Sequence, residues 1–543
     1  MEAHSTRRPA VWPAILISAS FFLLYLCLRT NNLVGMDGAL RCLEVLFAGD
    51  RFHGNNHMLY PFWVNAWSEA LNLLGIRARD GIEYVHLTQA MNAFGAAAAV
   101  GFLSYLIQSV SNTVAAALGG LMFGLSQTMT LQAPSSDEPI AGLFFALLAL
   151  TILAWAIRRS NDLTMVAAGF CMTAALASYQ AMGTVIGPAF LMCCYWPKDP
   201  AARPLSAFRK TAVTAFGSAL GLVVIYGWAY HEQGVAVSRM LNRFVTLDGG
   251  SDVYGGVELL PTKSVNAFFG FIGDLYSALP SDYAGTRALL RHSHAALWIA
   301  GAILAFAFTA LMVRLAAQGW QTPPASGRRV ALLVLVTIFV TTPCWYWGPN
   351  NPKMWLFPIA CFSFFVAAGW ARGVLPPIPH RILAACLVLC VLVEAIRDIP
   401  PMVRDHVNPT PGLAYAQQVA RAIRPDDWVL ADFDDITALW VGFWGYNNQS
   451  LLLPSSTVKQ ATAWLEKAKG VTQQGRGRLL FLSIFEHSRP EWDAFIGARV
   501  RIPYEFLDPY RKSSTLLVPA NDPAYTGQLW QYTPSALSPA ASR

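Results

Sequence analysis

The sequence predicts a polytopic α-helical membrane protein of about eleven transmembrane helices, followed by a small C-terminal α/β domain on the outer side. Three observations carry this expectation. Of 543 residues, 55% are hydrophobic and only 13% charged, with mean hydropathy +0.39. Apolar runs of membrane-spanning length recur up to about residue 397. After Ile399 they stop, and short strand and helix signals alternate instead. The net charge of +7 does not point to nucleic acid, because the basic residues are scattered at segment ends, where they set topology.

The expected spans lie at roughly 11–29, 85–108, 112–131, 139–157, 162–179, 182–196, 211–230, 295–313, 330–346, 354–371 and 382–397. The first lacks the short apolar core and small-residue cleavage site of a signal peptide, so it is expected as a retained helix. With this count, Arg7, Arg8, Arg158, Arg159, Lys198, Arg203, Arg209, Lys210, Arg314, Arg328, Arg329, Arg372 and Arg381 all fall on one side. That side is expected to be cytoplasmic, with the C-terminus outside. The division is 1–397 for the transmembrane part and 398–543 for the outer α/β domain.

Two outer loops are large, at 30–84 and 231–294. In the first, Ala39, Leu40, Leu43, Leu46 and Phe47 recur at helical spacing, as do Phe62, Trp63, Trp67, Leu71 and Leu74. Both series read as amphipathic helices that lie on the membrane surface or pack on neighbouring spans. In the second, "DGGSDVYGG" has no strand before it and no helix after it, so it is not read as a nucleotide-binding turn. Beyond the spans, "PGLAYAQQVARAIR", "VKQATAWLEKAKG" and "RPEWDAFIGAR" read as helices, and "DWVLADF" and "RLLFLSIF" as strands, with "STLLVPA" closing the sheet. The nine cysteines show no CxxC spacing, which argues against zinc or a dithiol pair. Cys42 and Cys344 both fall near the outer surface, where pairing is open.

Charged residues at a membrane interface are costly unless solvated or paired, and they often mark function. Three outer-edge sites stand out: Asp37 just beyond the first span, Asp137 and Glu138 in "SSDEP", and Lys353 in "WYWGPNNPKMWLFP". The topology puts all three on one face. A carboxylate there can take a proton from an attacking hydroxyl, and a lysine or arginine can neutralise a departing phosphate. Each residue also has a plainer use. Asp37, Asp137 and Glu138 suit helix caps, and Lys353 suits snorkelling between headgroups. His57 suits a buried polar anchor, and Arg291 and His292 suit the flank of a span. Trp345, Tyr346, Trp347 and Trp355 suit an interfacial belt or a sugar platform.

These stretches resemble the GT-C glycosyltransferases, especially the branch of protein O-mannosyltransferases and the lipid A aminoarabinose transferase. "GMDGALR" is similar to the family's first-loop acidic segment, and "NNHMLYPFW" to its segment leading into a surface helix. "SSDEPIAGLFFALLAL" matches the second-loop acidic site, and "PKMWLFP" a late basic segment. The family's usual double proline is absent, since Met58 and Leu59 follow His57. The resemblance covers the membrane part and leaves the C-terminal domain without a matched motif.

The resemblance implies transfer of one sugar from a polyprenyl-phosphate donor to a hydroxyl of a glycan, lipid or protein outside the cytoplasm, with inversion. Asp37 would be the base. Asp137 or Glu138, with His57 and Tyr60, would orient donor and acceptor, and Lys353 with Arg291 would hold the donor phosphate. The transfer would be metal-independent or metal-assisted, a divalent ion falling to Asp137 and Glu138. An Ala- and Arg-rich chain with short loops suits a bacterial inner membrane with the site facing the periplasm. Two other classes fit a polytopic chain: a transporter or lipid flippase, and a non-catalytic partner in envelope glycan assembly.

Overall fold

The computed structural model describes residues 10–29, 42, 58–78, 81–196, 205–232, 260–276, 295–320, 327–346, 351–371, 377–407, 418–431, 450–452, 458–485, 488–492, 503–519 and 528–533. They form two compact units. One holds the helices up to His406. The other takes the chain from Val407, with a short part around residues 78–85.

A helix falls on every expected span. In order they are α1 (Trp12–Cys27), α3 (Gly81–Val110), α4 (Thr113–Gly124) with α5 (Gln127–Gln132), α6 (Pro139–Arg159) and α7 (Asp162–Ser178). Then follow α8 (Ile186–Tyr195), α9 (Ala207–Gly221) with α10 (Gly227–Glu232), α12 (Ala295–Trp320), α13 (Gly327–Tyr346), α14 (Pro352–Ala371) and α15 (Pro377–Val407). α2 (Tyr60–Leu73) and α11 (Leu260–Tyr276) come from the two long loops, 30–84 and 231–294. Among the described residues, four helices are long and apolar enough to cross a membrane: Glu83–Val110, Pro139–Arg159, Ala207–Ala229 and Pro352–Ala371. Large apolar side chains such as Leu16, Leu23, Val223 and Leu335 are exposed on helix surfaces, as suits contact with lipid tails.

Several interruptions depart from the expected spans. The run 112–131 is broken at Leu125 and Ser126, leaving α4 with 12 residues, or about 18 Å of helix. The sixth run opens with a 3₁₀ turn, Gln180–Val185, and the seventh contains a π turn, Leu222–Tyr226. α15 continues past 397 to Val407, with Pro400 and Pro401 inside it.

Local chemistry sets the ends. Asn112 and Asn161 cap their helices by accepting from the backbone N–H of Ala115 (2.9 Å) and Thr164 (3.0 Å), satisfying donors that a helix start leaves unpaired. Ser160 ends α6 in the left-handed region at φ 53°. α7 and α9 cross at Gly169 and Gly217, where an added Cβ would meet Thr214 O at 2.1 Å and Val166 O at 2.2 Å. Only the missing side chains allow that approach. Tyr25, fully buried, donates its hydroxyl to Gly124 O at 2.5 Å and joins α1 to the end of α4.

The second unit carries a five-stranded sheet in the order β2 (Ser450–Leu452), β1 (Trp428–Ala431), β3 (Leu479–Leu482), β5 (Leu529–Tyr532), β4 (Ser514–Val518). β1 pairs in parallel with β2 and β3, while β5 runs antiparallel to β3 and β4. α16 (Val458–Gln473) links β2 to β3 and buries Ala461, Leu465 and Ala468. β1 and β3 are buried throughout, as expected of inner parallel strands. The sequence-predicted strands "DWVLADF", "RLLFLSIF" and "STLLVPA" are present, but the last lies at the edge, separated from β3 by β5. Asp427 locks the start of β1 to that of β3. It accepts from Arg478 Nε (3.0 Å), Arg478 Nη2 (2.5 Å) and the backbone N–H groups of Arg478 (3.0 Å) and Arg424 (2.8 Å).

Candidate active site

α5 ends at Gln132, and the chain reaches α6 through Ala133-Pro134-Ser135-Ser136-Asp137-Glu138, every residue of which is buried. A buried loop must find partners for its backbone polar groups. Here they come from its own serine and from two other helices. The Ser135 hydroxyl donates to Gln132 O (2.8 Å) and accepts from the Asp137 N–H (3.2 Å). Asn92 of α3 donates through Nδ2 to the carbonyl oxygens of Ser135 (2.8 Å) and Asp137 (2.6 Å). Tyr60, at the start of α2, donates to the carbonyl between them, Ser136 O, at 2.5 Å.

The Asp137 side chain, fully buried, meets Lys353 at the start of α14. Lys353 Nζ lies 3.0 Å from Oδ1 and 2.8 Å from Oδ2, and its side chain is 11% exposed. Burial pushes the Asp137 carboxyl well above the usual carboxylate range, and Glu138 beside it pushes the same way. Lys353 is the group that opposes both. Two further ties hold α14 in place. Thr128 of α5 donates to Pro352 O at 2.5 Å, and Asn351 Oδ1 accepts from the Lys353 N–H at 3.1 Å. Met354, next along, accepts from the Tyr179 hydroxyl on sulfur (3.5 Å) and from the Cys344 thiol on its carbonyl (3.3 Å).

Of the sequence-predicted site residues, Asp137, Glu138, Lys353 and Tyr60 come together. Asp37, His57 and Arg291 lie outside the described residues. Tyr60 is fully buried, with its hydroxyl on a backbone carbonyl. Trp355 is buried, its ring 5.5 Å from that of Phe271 on α11, whereas Trp345 is exposed. Cys42 and Cys344 are both buried. Asn92 was not singled out from sequence. Its signal is an amide inside an apolar span, a group that needs partners there.

The aromatic face of α2 packs on the spans. Phe62 meets Trp228 at 5.8 Å, Trp63 meets Phe145 at 4.9 Å and Trp67 meets Phe94 at 5.9 Å. Just before it, the Leu59 N–H donates to Ala177 O at 3.2 Å.

The donor set for a divalent ion is incomplete among the described residues. Both oxygens of Asp137 face Lys353, and no three His, Cys, Asp or Glu side chains converge.

The helical unit brings Asp137, Glu138 and Lys353 together at the ends of α6 and α14, with Asn92 of α3 beside them. No protein-family model and no curated protein matches the sequence. Solved structures match along most of the chain. The apo oligosaccharyltransferase of Archaeoglobus fulgidus is 12% identical with TM-score 0.52, over 92% of this chain and 72% of that one. Apo ArnT of Cupriavidus metallidurans is 14% identical with TM-score 0.47, over 96% and 97%. The A. fulgidus oligosaccharyltransferase AglB with an inhibitory peptide and a dolichol-phosphate is 10% identical with TM-score 0.49, over 92% and 72%. The first of these likenesses shows that the chain shares the fold of that oligosaccharyltransferase.

Proposed function

We propose that the chain is a glycosyltransferase that moves one sugar from a polyprenyl-phosphate donor to a hydroxyl of an extracytoplasmic glycan, lipid or protein, with inversion. It would stand in the protein O-mannosyltransferase and lipid A aminoarabinose transferase branch, in a bacterial inner membrane with site and C-terminus facing the periplasm. The observation that carries this reading is the buried Asp137, next to Glu138 and paired with Lys353, in a chain of GT-C fold.

In the proposed reaction the acceptor oxygen attacks the anomeric carbon from the face opposite the phosphate. The new carbon–oxygen bond forms as the bond to the phosphate oxygen breaks. The acceptor proton passes to the Asp37 carboxylate, and polyprenyl phosphate leaves with the bonding electrons. Lys353 and Arg291 balance the charge that develops on the phosphate. An ammonium carries three donors and can serve Asp137 and a phosphate together. Asp137 and Glu138 orient the sugar and acceptor, and His57 and Tyr60 shape the site.

The test uses the purified full-length protein in nanodiscs with radiolabelled polyprenyl-phosphate sugars. Transfer of label to an acceptor, or slow release of free sugar, is the expected result, and Asp37→Asn should abolish it. Full turnover by Asp37→Asn would remove the base assignment. Uptake of substrate into sealed vesicles with no covalent product would replace the enzyme with a transporter.

A further inference from the structure

Ser135, Ser136 and Asp137 present three consecutive carbonyl oxygens, and each takes a side-chain donor from another helix. Asn92 serves the first and third at 2.8 and 2.6 Å, and Tyr60 serves the second at 2.5 Å. Both donors are deeply buried, Asn92 at 1% and Tyr60 at 0% exposure. The start of a helix leaves N–H groups without partners, not carbonyls. Capping α6 therefore does not account for this arrangement. Its effect falls on the backbone that carries the two carboxylates. Asp137 is held at three points: its N–H by Ser135 Oγ, its carbonyl by Asn92 and its carboxylate by Lys353.

We infer that Asn92 and Tyr60 are positioning residues, which act through these three carbonyls to fix the direction of Asp137 and Glu138 and the seat of Lys353. The inference rests on the proposed glycosyl transfer for its catalytic consequence, but its geometric part stands without it. Neither residue need touch the reacting atoms. A peptide plane that loses its donor can rotate, and rotation of the Ser136–Asp137 or Asp137–Glu138 plane swings both carboxylates. Misplacement of a catalytic group by about 1 Å costs on the order of 100-fold in rate. The inference also gives "HMLYP" a task. Leu59 is anchored to Ala177 O at 3.2 Å and Pro61 lies in the first turn of α2, so Tyr60 is set at the helix start with its hydroxyl on the loop.

The variants are Tyr60→Phe, which deletes one hydroxyl, and Asn92→Ala, which deletes both amide bonds. Two readouts are taken on full-length protein that elutes as a single species. The first needs no activity: the rate at which acetic anhydride modifies Lys353, followed by mass spectrometry. A clamp predicts modification roughly fivefold faster or more in both variants, because Lys353 loses the fixed carboxylate that holds it. The second is steady-state transfer. A clamp predicts kcat down by about 100-fold with donor KM changed by less than about twofold, since the donor's own contacts remain. Unchanged Lys353 reactivity in both variants overturns the inference. So does wild-type kcat per folded molecule in both, because a role in stability alone would lower the folded fraction and leave kcat intact. Should the wild type transfer no sugar while Lys353 reactivity rises in both variants, the glycosyltransferase reading falls and the positioning of the ion pair stands. If Asn92→Ala does not fold, Tyr60→Phe decides both readouts.

Discussion

The contact between Asp137 and Lys353 can be weighed by removing its charges singly and together. At 2.8 Å and an effective dielectric of about 20, Coulomb's law gives ~6 kcal/mol of attraction, before the opposing cost of taking both groups out of water. Lys353→Met leaves a fully buried carboxylate without its counter-charge. Asp137 then takes up a proton, because burial and Glu138 already raise its carboxyl and the opposing charge of Lys353 is gone. Proton uptake limits the loss to roughly 3 kcal/mol, the lower end for breaking a buried pair. Asp137→Asn takes the buried carboxylate from an ammonium that is 11% exposed on a flexible stem that can reach water, and the expected loss is about 1–2 kcal/mol. The double variant removes both charges and should recover about 2 kcal/mol relative to the sum of the singles.

The assay is unfolding of the full-length protein by SDS titration in mixed micelles, followed by tryptophan fluorescence. The pH dependence adds a second check. In Lys353→Met the raised carboxyl binds its proton more tightly in the folded state than in the unfolded one. Its stabilising effect is complete below the ordinary carboxylate range and is lost as pH rises through the raised folded value, so this variant should lose more stability between acid and neutral pH than the wild type does. Additivity of the two single effects within about 0.5 kcal/mol would refute the reasoning, because it would mean that the two charges do not interact.

Three further outcomes follow from the geometry. Gly477→Ala should destabilise the α/β unit by at least 1–2 kcal/mol, roughly the cost of a left-handed non-glycine residue, since Gly477 has φ +75° and its Cβ would meet Asp426 O at 2.0 Å; local hydrogen exchange at β1 and β3 reports it. Asp427→Ala removes the counter-charge of the part-buried Arg478 guanidinium, which keeps Ala422 O, and the acceptor of two backbone N–H groups, and should cost about 3 kcal/mol in the same measurement. Gly169→Val forces α7 and α9 apart where a Cβ meets Thr214 O at 2.1 Å, with an expected loss of about 1–3 kcal/mol by SDS titration.

The helices and the two inner parallel strands were legible because long apolar runs and short β-rich runs are strong signals. "WVLA" and "LLFL" became β1 and β3, buried on every residue. β2 was missed because three residues, Ser450–Leu452, carry no periodicity. β5 was missed because "LWQY" sits in a stretch rich in proline and polar residues. The break at Leu125 and Ser126 was hidden because apolar residues continue on both sides of it, as far as Leu131. A hydropathy window registers residue type and not hydrogen-bond continuity.

The site divides in the same way. Asp137, Glu138 and Lys353 were visible as charges between apolar runs, but their pairing links positions 216 residues apart in sequence, which no local pattern encodes. Asn92 was visible in principle, because an amide inside a membrane helix must be satisfied by something. What sequence could not supply was its partners, since backbone carbonyls leave no mark in residue identity. The same reason changes the weight of "HMLYP". As a side-chain motif it departs from the GT-C pattern at Met58 and Leu59. In the structure those two residues are buried against Ala174, Ala177, Ile225, Tyr226 and Ala229. They fix where Tyr60 begins α2, and the tyrosine hydroxyl lands on a carbonyl one residue before Asp137. A motif whose work is to place one hydroxyl on the backbone can tolerate change in its neighbours provided they keep their apolar volume, and Met and Leu at 58 and 59 meet that requirement.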